Sequence, residues 1–409
     1  MVTVKKLKSI ARRQLNGKKV GRQIASVFMR RYLFAQESEV NLEQIPVIPP
    51  EPLPMVVPEH DFIHFRDDYK TQNADCETPP SSLTIVENCT VFTDNLFEFF
   101  VLQNNLILQQ HSYFHRVDSS AEACSTGHYL PKIRKAKQLQ GSVFSMVIGG
   151  GKDNYFHWMV DAIPRLWLLK KSGRWDDIDW FLMPNYSLTF QKQSIEFFGI
   201  PEEKIINAEN IEYLQCERLY LPTTSRYNGW FRPWLMDFFK AYTAELTATI
   251  DAAPYIYISR GDASQRRVTN EDEVILALQK QGFDIIQLSK LSFQKQIALF
   301  KQAKVIIAPH GAALTNLFFC EPKTKVIEVF PSEYVSPLYQ ELALRLNLQY
   351  KMLICPSIKG AHKNETLHIA NKADIEVPID ALHQSVSAYL EETKDLIGKK
   401  QSKSYRKAK

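Results

Sequence analysis

The stretch NYFHWMVDAIPRL places His157 and Asp161 four residues apart. On a helix that spacing sets both side chains on one face, within reach of each other. A histidine beside a carboxylate can orient a hydroxyl and take its proton, with either group serving as the base. Asn154 shares that side, and Phe156, Met159 and Ile163 can face a core. A lone histidine or aspartate is more often structural. This pair stands out because it follows GSVFSMVIGGGKDN, a buried-strand pattern ending in glycines.

A second constellation lies further on. PYIYISR ends in Ser259 and Arg260, and Arg266 and Arg267 follow in the same loop. Guanidinium groups at a strand's carboxyl end form a fork suited to phosphate oxygens, each charge-assisted bond contributing roughly 1.5–3 kcal/mol. The competing reading of any one arginine is a surface ion pair of small worth. VIIAPHGAALTNLFFCEP then runs from apolar to nearly bare backbone at His310, Gly311, Ala312 and Ala313 before Asn316. Small residues at a helix start let a ligand approach the main chain, and the helix end favours negative charge. A plain strand-to-helix turn, with His310 capping a backbone group, is the alternative. In KVIEVFP, Glu328 sits among apolar neighbours and needs a partner. A ribose diol would serve, as would a lysine or arginine of an adjacent loop. Together these residues describe a nucleotide-diphosphate site.

The elements that must hold these groups are legible as patterns. From Tyr255 the chain alternates continuous apolar strands (PYIYISR, FDIIQL, KVIIAP, KVIEVFP, LQYKMLIC) with helices (NEDEVILALQKQG, SFQKQIALFKQA, GAALTNLFF, SPLYQELALRLN). Such alternation predicts a parallel sheet covered on both faces. Asn270 and Glu273 suit a helix cap. Earlier, short β-like runs (SLTIVENCTVF, LFEFFVL, NLILQQHSYF) precede an alternating stretch in which NYFHWMVDAIPRLWLLKK is a helix bent or restarted near Pro164. Both halves therefore read as α/β, with a seam near Arg232 to Thr249 and no internal repeat. PVIPPEPLPMVVPEH is too proline-dense for a helix or central strand and predicts an extended arm.

At 409 residues two domains are the default. No apolar run is long enough to span a bilayer, and the basic start lacks the features of a secretory leader. Six scattered cysteines without a CxxC pair argue against zinc and a disulfide framework, and for a reducing, cytoplasmic setting. The net charge of +5 is concentrated in the first 31 residues and in the tail GKKQSKSYRKAK. Solvated ends are the plain reading, and peripheral attachment to anionic lipid at the inner membrane face is the sharper one. Nucleic acid is not expected as a partner, because the basic residues lack interleaved aromatics.

YFHWMVDAIPRL, YISRGDASQRRVTNEDEV and IIAPHGAALTNLFFCEPKTKVIEVFP resemble, in that order and at similar spacing, the signature blocks of glycosyltransferase family 61. The resemblance runs from about Ser142 to Leu353 and is most specific between His310 and Glu328. It implies a fold of two Rossmann-like domains facing a cleft (GT-B-like), a nucleotide-diphosphate donor, usually a UDP-sugar, and inversion at the anomeric carbon. By matched position, Arg260, Arg266, His310, Gly311, Ala312 and Asn316 would contact the donor, with Arg267 a further candidate. Glu328 would hold the ribose or stabilise the site, and His157 and Asp161 would face a glycan or lipid-linked acceptor. Bacterial members of that family, linked to capsular polysaccharide, suggest a role in surface-polysaccharide synthesis. The implied domains are a basic segment (1–45), a proline-rich linker or arm (46–75), an acceptor-side α/β domain (76–240), a nucleotide-sugar α/β domain (241–378), and a closing helix with a basic tail (379–409).

No cofactor or divalent metal is expected. Asp177-Ile-Asp179 has the DxD form of metal-dependent transferases but precedes its strand, which predicts a surface turn at the wrong sheet edge. A serine hydrolase is disfavoured because no GxSxG elbow occurs, and a P-loop kinase because IGGGKDN lacks the spacing. A non-catalytic nucleotide-binding module or scaffold is the remaining rival.

Overall fold

Apolar and β-branched runs before Thr223 become ten strands: β1 (Met29–Phe34), β2 (Leu42–Ile48), β3 (Ser81–Thr93), β4 (Phe99–Gln103), β5 (Leu106–Ile107), β6 (Gly127–Pro131), β7 (Lys137–Ser145), β8 (Trp180–Met183), β9 (Ile205–Asn207) and β10 (Tyr213–Pro222). The computed structural model describes residues 29–35, 40–53, 76–93, 98–112, 127–131, 133, 136–148, 153–184, 186–244, 246, 249–261, 265–358 and 373–391. Residues 1–28, residues 54–75 with the end of the proline-rich stretch, the segment 149–152 with its three glycines, Cys124 and the basic tail lie outside the described residues. The chain divides into two units, one of Met1–Glu51 with Thr78–Ser225 and one of Pro52–Glu77 with Arg226–Lys409.

In the first unit the strands form one sheet in the order β6-β1-β5-β4-β3-β10-β7-β8-β9, with β2 paired beside β3. The run from β10 through β7 and β8 to β9 is parallel, in keeping with the α/β reading. An antiparallel extension joins it, because β3 pairs antiparallel with β10, β4 and β2. Pro46 is accommodated in β2, where the register shifts between Pro46 and Ile48, as expected of a strand proline at a bulge. Val86, Val91, Val143, Leu182, Leu214 and Leu219 share its buried core. Asp179 is exposed and accepts from the Ser142 backbone N–H at 2.8 Å, pinning the start of β8 to β7.

The second unit opens with a two-stranded hairpin, β11 (Arg226–Tyr227) and β12 (Trp230–Phe231), and a helix over Trp234–Thr243. Its sheet contains β13 (Tyr255–Ile258), β14 (Asp284–Ile286), β15 (Val305–Pro309), β16 (Lys325–Pro331) and β17 (Gln349–Cys355). All are parallel, in the order β14-β13-β15-β16-β17. One face buries Tyr257, Val305, Ile307, Ile327 and Val329 with Leu278 of helix Glu271–Gln279 and Leu382 of the closing helix over 379–391. Because strand residues alternate between faces, Glu328 and Phe330 point to the other side. Asn270 does not cap its helix through its side chain. Its amide instead exchanges two bonds with Val377, donating at 2.9 Å and accepting at 3.0 Å, which ties the helix start to the chain before the closing helix. GAALTNLFF, expected as a helix, forms a 3-10 helix over Ala312–Phe319. Residues Leu314 through Phe319 are all buried, so the segment packs on every side.

One buried group makes this unit sensitive to pH. Glu341, wholly buried on helix Leu338–Arg345, accepts from the Phe231 N–H at 3.0 Å and from Arg345 Nε at 2.8 Å. Burial pushes its carboxyl up to about 7, with Arg345 opposing the shift. A raised carboxyl favours the folded state while protonated, so this stability is present below the unfolded value of 4.5 and is lost as pH rises through about 7. Between pH 5 and pH 8 it amounts to roughly 2–3 kcal/mol. Urea unfolding at those two pH values is expected to show that loss in the wild type and a correspondingly smaller one in Glu341→Gln.

Candidate functional site

The candidate residues fall into two groups, one in each unit. In the second unit the strand order reverses between β13 and β15, since the chain leaves β13 for β14 on one side and returns to β15 on the other. Ligands of open α/β sheets settle outside the carboxyl ends of strands at such a switch point. Arg260 follows β13 and His310 follows β15, so the sheet delivers both to that place.

The two loops are tied at a single atom. The His310 carbonyl oxygen accepts from Arg260 Nη1 at 3.3 Å and from Arg266 Nε at 3.1 Å. Arg260 Nη2 also donates to the Gln265 carbonyl at 2.9 Å, and the Arg260 N–H donates to Glu271 at 3.1 Å. Arg266 adopts φ of +50°, a left-handed conformation that a side chain other than glycine rarely takes, and that turns it back toward His310. Burial lowers the Arg266 guanidinium from its ordinary value. Gly311 has an extended backbone (φ 169°, ψ 174°) open to any residue. A Cβ there would push the Arg260 guanidinium aside, so glycine leaves that side chain its seat beside the His310 carbonyl.

Beneath that carbonyl, the His310 ring is buried and stacked on Phe330 at 4.8 Å, with Tyr334 and Tyr339 against its edges. Its Nδ1 meets Glu328 Oε1 at 2.5 Å, and the Tyr350 hydroxyl donates to Glu328 Oε2. Burial pulls the imidazole below its ordinary value, while Glu328 acts in the opposite direction. Both Glu328 oxygens thus have partners within the protein, and neither is the lysine or arginine that stood as the alternative to a ribose diol.

The structure gathers Arg260, Arg266, His310, Gly311 and Glu328. Ala312 is half-buried at the start of the 3-10 segment, and Asn316, fully buried, donates to Gln296 at 3.1 Å. Arg267 turns elsewhere: its side chain is 59% exposed, its guanidinium lies 3.7 Å from Asp374, and its N–H donates to the same carboxylate at 3.0 Å. Tyr350, Tyr334 and Tyr339 escaped the sequence reading. Only the parity of Tyr350 and Glu328 in neighbouring strands could have flagged one of them, and register is not visible in sequence.

In the first unit, Asn154 begins the helical run, its side chain accepting from the Phe156 N–H at 2.9 Å. A turn over Tyr155–His157 leads into a π-helical segment, Trp158–Ala162, and the helix resumes over Arg165–Lys171. The cause is Pro164, which has no N–H for the Val160 carbonyl. Ser225 Oγ donates to that carbonyl at 2.5 Å instead. The Ile163 N–H reaches back five residues to Trp158 at 3.0 Å, and Arg165 Nε donates to the Asp161 carbonyl at 2.9 Å. π-bulges of this kind frequently sit at functional sites. His157 Nδ1 and Asp161 Oδ2 are 2.7 Å apart, the side chains 30% and 14% exposed. The pair is preformed and reachable from solvent.

Residues 155–327 match the family model "Glycosyltransferase 61". The matched segment, less than half of the chain, begins beside His157 and ends beside Glu328. These matches support glycosyltransferase family 61. Among named relatives, a beta-1,2-xylosyltransferase of Oryza sativa subsp. japonica is 30% identical over 100 residues, covering 22% of this chain and 19% of its own. An EGF domain-specific O-linked N-acetylglucosamine transferase of Drosophila melanogaster is 29% identical over 120 residues, covering 27% and 23%. A xylan glycosyltransferase of Arabidopsis thaliana is 32% identical over 91 residues, covering 21% and 18%. The chain thus spans less than a quarter of the length of each of these relatives. Among the described residues, no helix is long and apolar enough to cross a membrane.

Proposed function

We propose that this protein is an inverting glycosyltransferase that moves a sugar from a nucleotide-diphosphate donor, a UDP-sugar, to a hydroxyl of a glycan or lipid-linked acceptor. The observation that carries this reading is the convergence of Arg260 and Arg266 on the His310 carbonyl at the sheet's switch point. The named relatives, all sugar transferases, support it.

In this reading the two guanidinium groups grip the diphosphate and stabilise the charge it gains on leaving. The acceptor oxygen forms a bond to the anomeric carbon as the bond from that carbon to the phosphate oxygen breaks. The acceptor's proton passes to Asp161 or His157, and the electron pair leaves with the nucleoside diphosphate. Guanidinium charge does what a divalent ion does in other transferases, so no metal or cofactor enters the scheme. The GT-B-like arrangement, with the first unit on the acceptor side and the second on the donor side, belongs to the proposal. So do a role in capsular or other surface polysaccharide, a cytoplasmic location and contact of the basic termini with anionic lipid. The competing reading is a non-catalytic nucleotide-binding scaffold.

A screen of UDP- and GDP-sugars by calorimetry and by release of free sugar decides between them. Binding of a UDP-sugar with slow hydrolysis is the expected result. Binding without any turnover, with or without acceptor glycans, would favour the scaffold, and no binding of either nucleotide class would overturn the donor site.

A further inference from the structure

Glu328 is the middle of a hydrogen-bonded chain that starts on β17 and ends at the arginines. Tyr350 lies opposite Val326 in the register of β16 and β17, two places from Glu328 on the same face, and its hydroxyl donates to Glu328 Oε2. Glu328 Oε1 holds His310 Nδ1. The His310 N–H donates to the Val329 carbonyl at 2.8 Å, and its own carbonyl receives Arg260 and Arg266. Gly311 follows directly, with no side chain to restrain the peptide that carries this carbonyl. The ring of His310 is therefore the anchor of that peptide, and the ring is itself set by the carboxylate.

We propose that Tyr350 and Glu328 are positioning residues for the arginine grip: they lock the His310 ring, and through it the carbonyl that aims Arg260 and Arg266. The inference rests on the donor-site reading of those two arginines and assigns Glu328 to the support of His310 rather than to the ribose. A fully buried carboxylate that loses one of two donors is left undersatisfied and relaxes by moving. That movement releases the His310 Nδ1 bond, which fixes the rotation of the ring among Phe330, Tyr334 and Tyr339. Phosphate recognition is sensitive to such shifts, since guanidinium–phosphate bonds draw their strength from aligned fork geometry.

The test is calorimetric titration of the full chain with UDP and with uridine, which lacks the phosphates. Tyr350→Phe removes the donor to Glu328; Glu328→Gln keeps the shape and removes the charge. Each is expected to weaken UDP binding five- to twentyfold at unchanged stoichiometry, with uridine affinity within twofold of wild type. In an R260A/R266A background, adding Y350F should cost less than a further twofold, because the relay acts through those side chains. Merely structural damage would lower the stoichiometry at unchanged affinity, or weaken uridine as much as UDP; either result overturns the inference, as would UDP affinity unchanged in both variants. If wild-type protein bound no UDP, the donor-site reading would fail first and take the relay with it. If it bound UDP and lost it on arginine removal but not in Y350F or E328Q, the relay alone would fail.

Discussion

Asp161→Asn is expected to lower the rate of sugar transfer by 10²–10⁴-fold while leaving UDP affinity within about twofold of wild type. General-base catalysis contributes an effect of that size, and an amide cannot accept the acceptor's proton. The variant keeps the rest of the local structure. An asparagine can still bond to His157 across the 2.7 Å contact, and the backbone carbonyl of residue 161 remains held by Arg165. Affinity is spared because the arginines belong to the other unit. Rates measured at saturating donor, with binding followed separately by titration, separate the two quantities. Transfer continuing near the wild-type rate would show that Asp161 only orients its neighbour, and His157 would be the base. His157→Gln is the matching variant, and the larger loss in turnover number identifies the group that takes the proton.

Arg260→Ala and Arg266→Ala are each expected to weaken UDP binding tenfold or more, with uridine much less affected. Charge-assisted bonds to phosphate contribute roughly 1.5–3 kcal/mol each, and every 1.4 kcal/mol is a factor of ten in affinity. The loss should shrink as salt rises in proportion to the groups' exposure to solvent. Arg267→Ala supplies the contrast, because that exposed side chain is committed to Asp374 and should leave UDP affinity within twofold. Unchanged titrations in both R260A and R266A would move the donor site elsewhere.

Much of this arrangement was visible in the order of residues. Continuous apolar strands alternating with helices foretold the parallel sheet of the second unit, and the loops carrying Arg260 and His310 could be put at its carboxyl edge without coordinates. The four-residue interval between His157 and Asp161 foretold their contact. The contact forms even though Asp161 lies inside the π-helical segment, whose wide turn from Trp158 to Ile163 still leaves the two side chains 2.7 Å apart. Three things could not be read. Arg267 ranks below Arg266 in the sequence reading, but the reason they part, the left-handed turn at Arg266 and the acid at Asp374, shows only in the structure. The partners of Glu328 depend on strand register and on a tyrosine 22 residues away. The antiparallel extension of the first sheet consists of runs that any layer could bury, so periodicity alone does not choose their neighbours.

The proposed donor grip also has an order of assembly. Its two cationic arms emerge from one loop, while the carbonyl that gathers them is made 50 residues later, after an edge strand and two helices have been laid down. During synthesis the arms must therefore wait, unaimed, until the central strand next to theirs has docked. In the proposed donor site, anion affinity consequently reports a finished lobe, and a donor nucleotide at high concentration should stabilise that lobe through mass action.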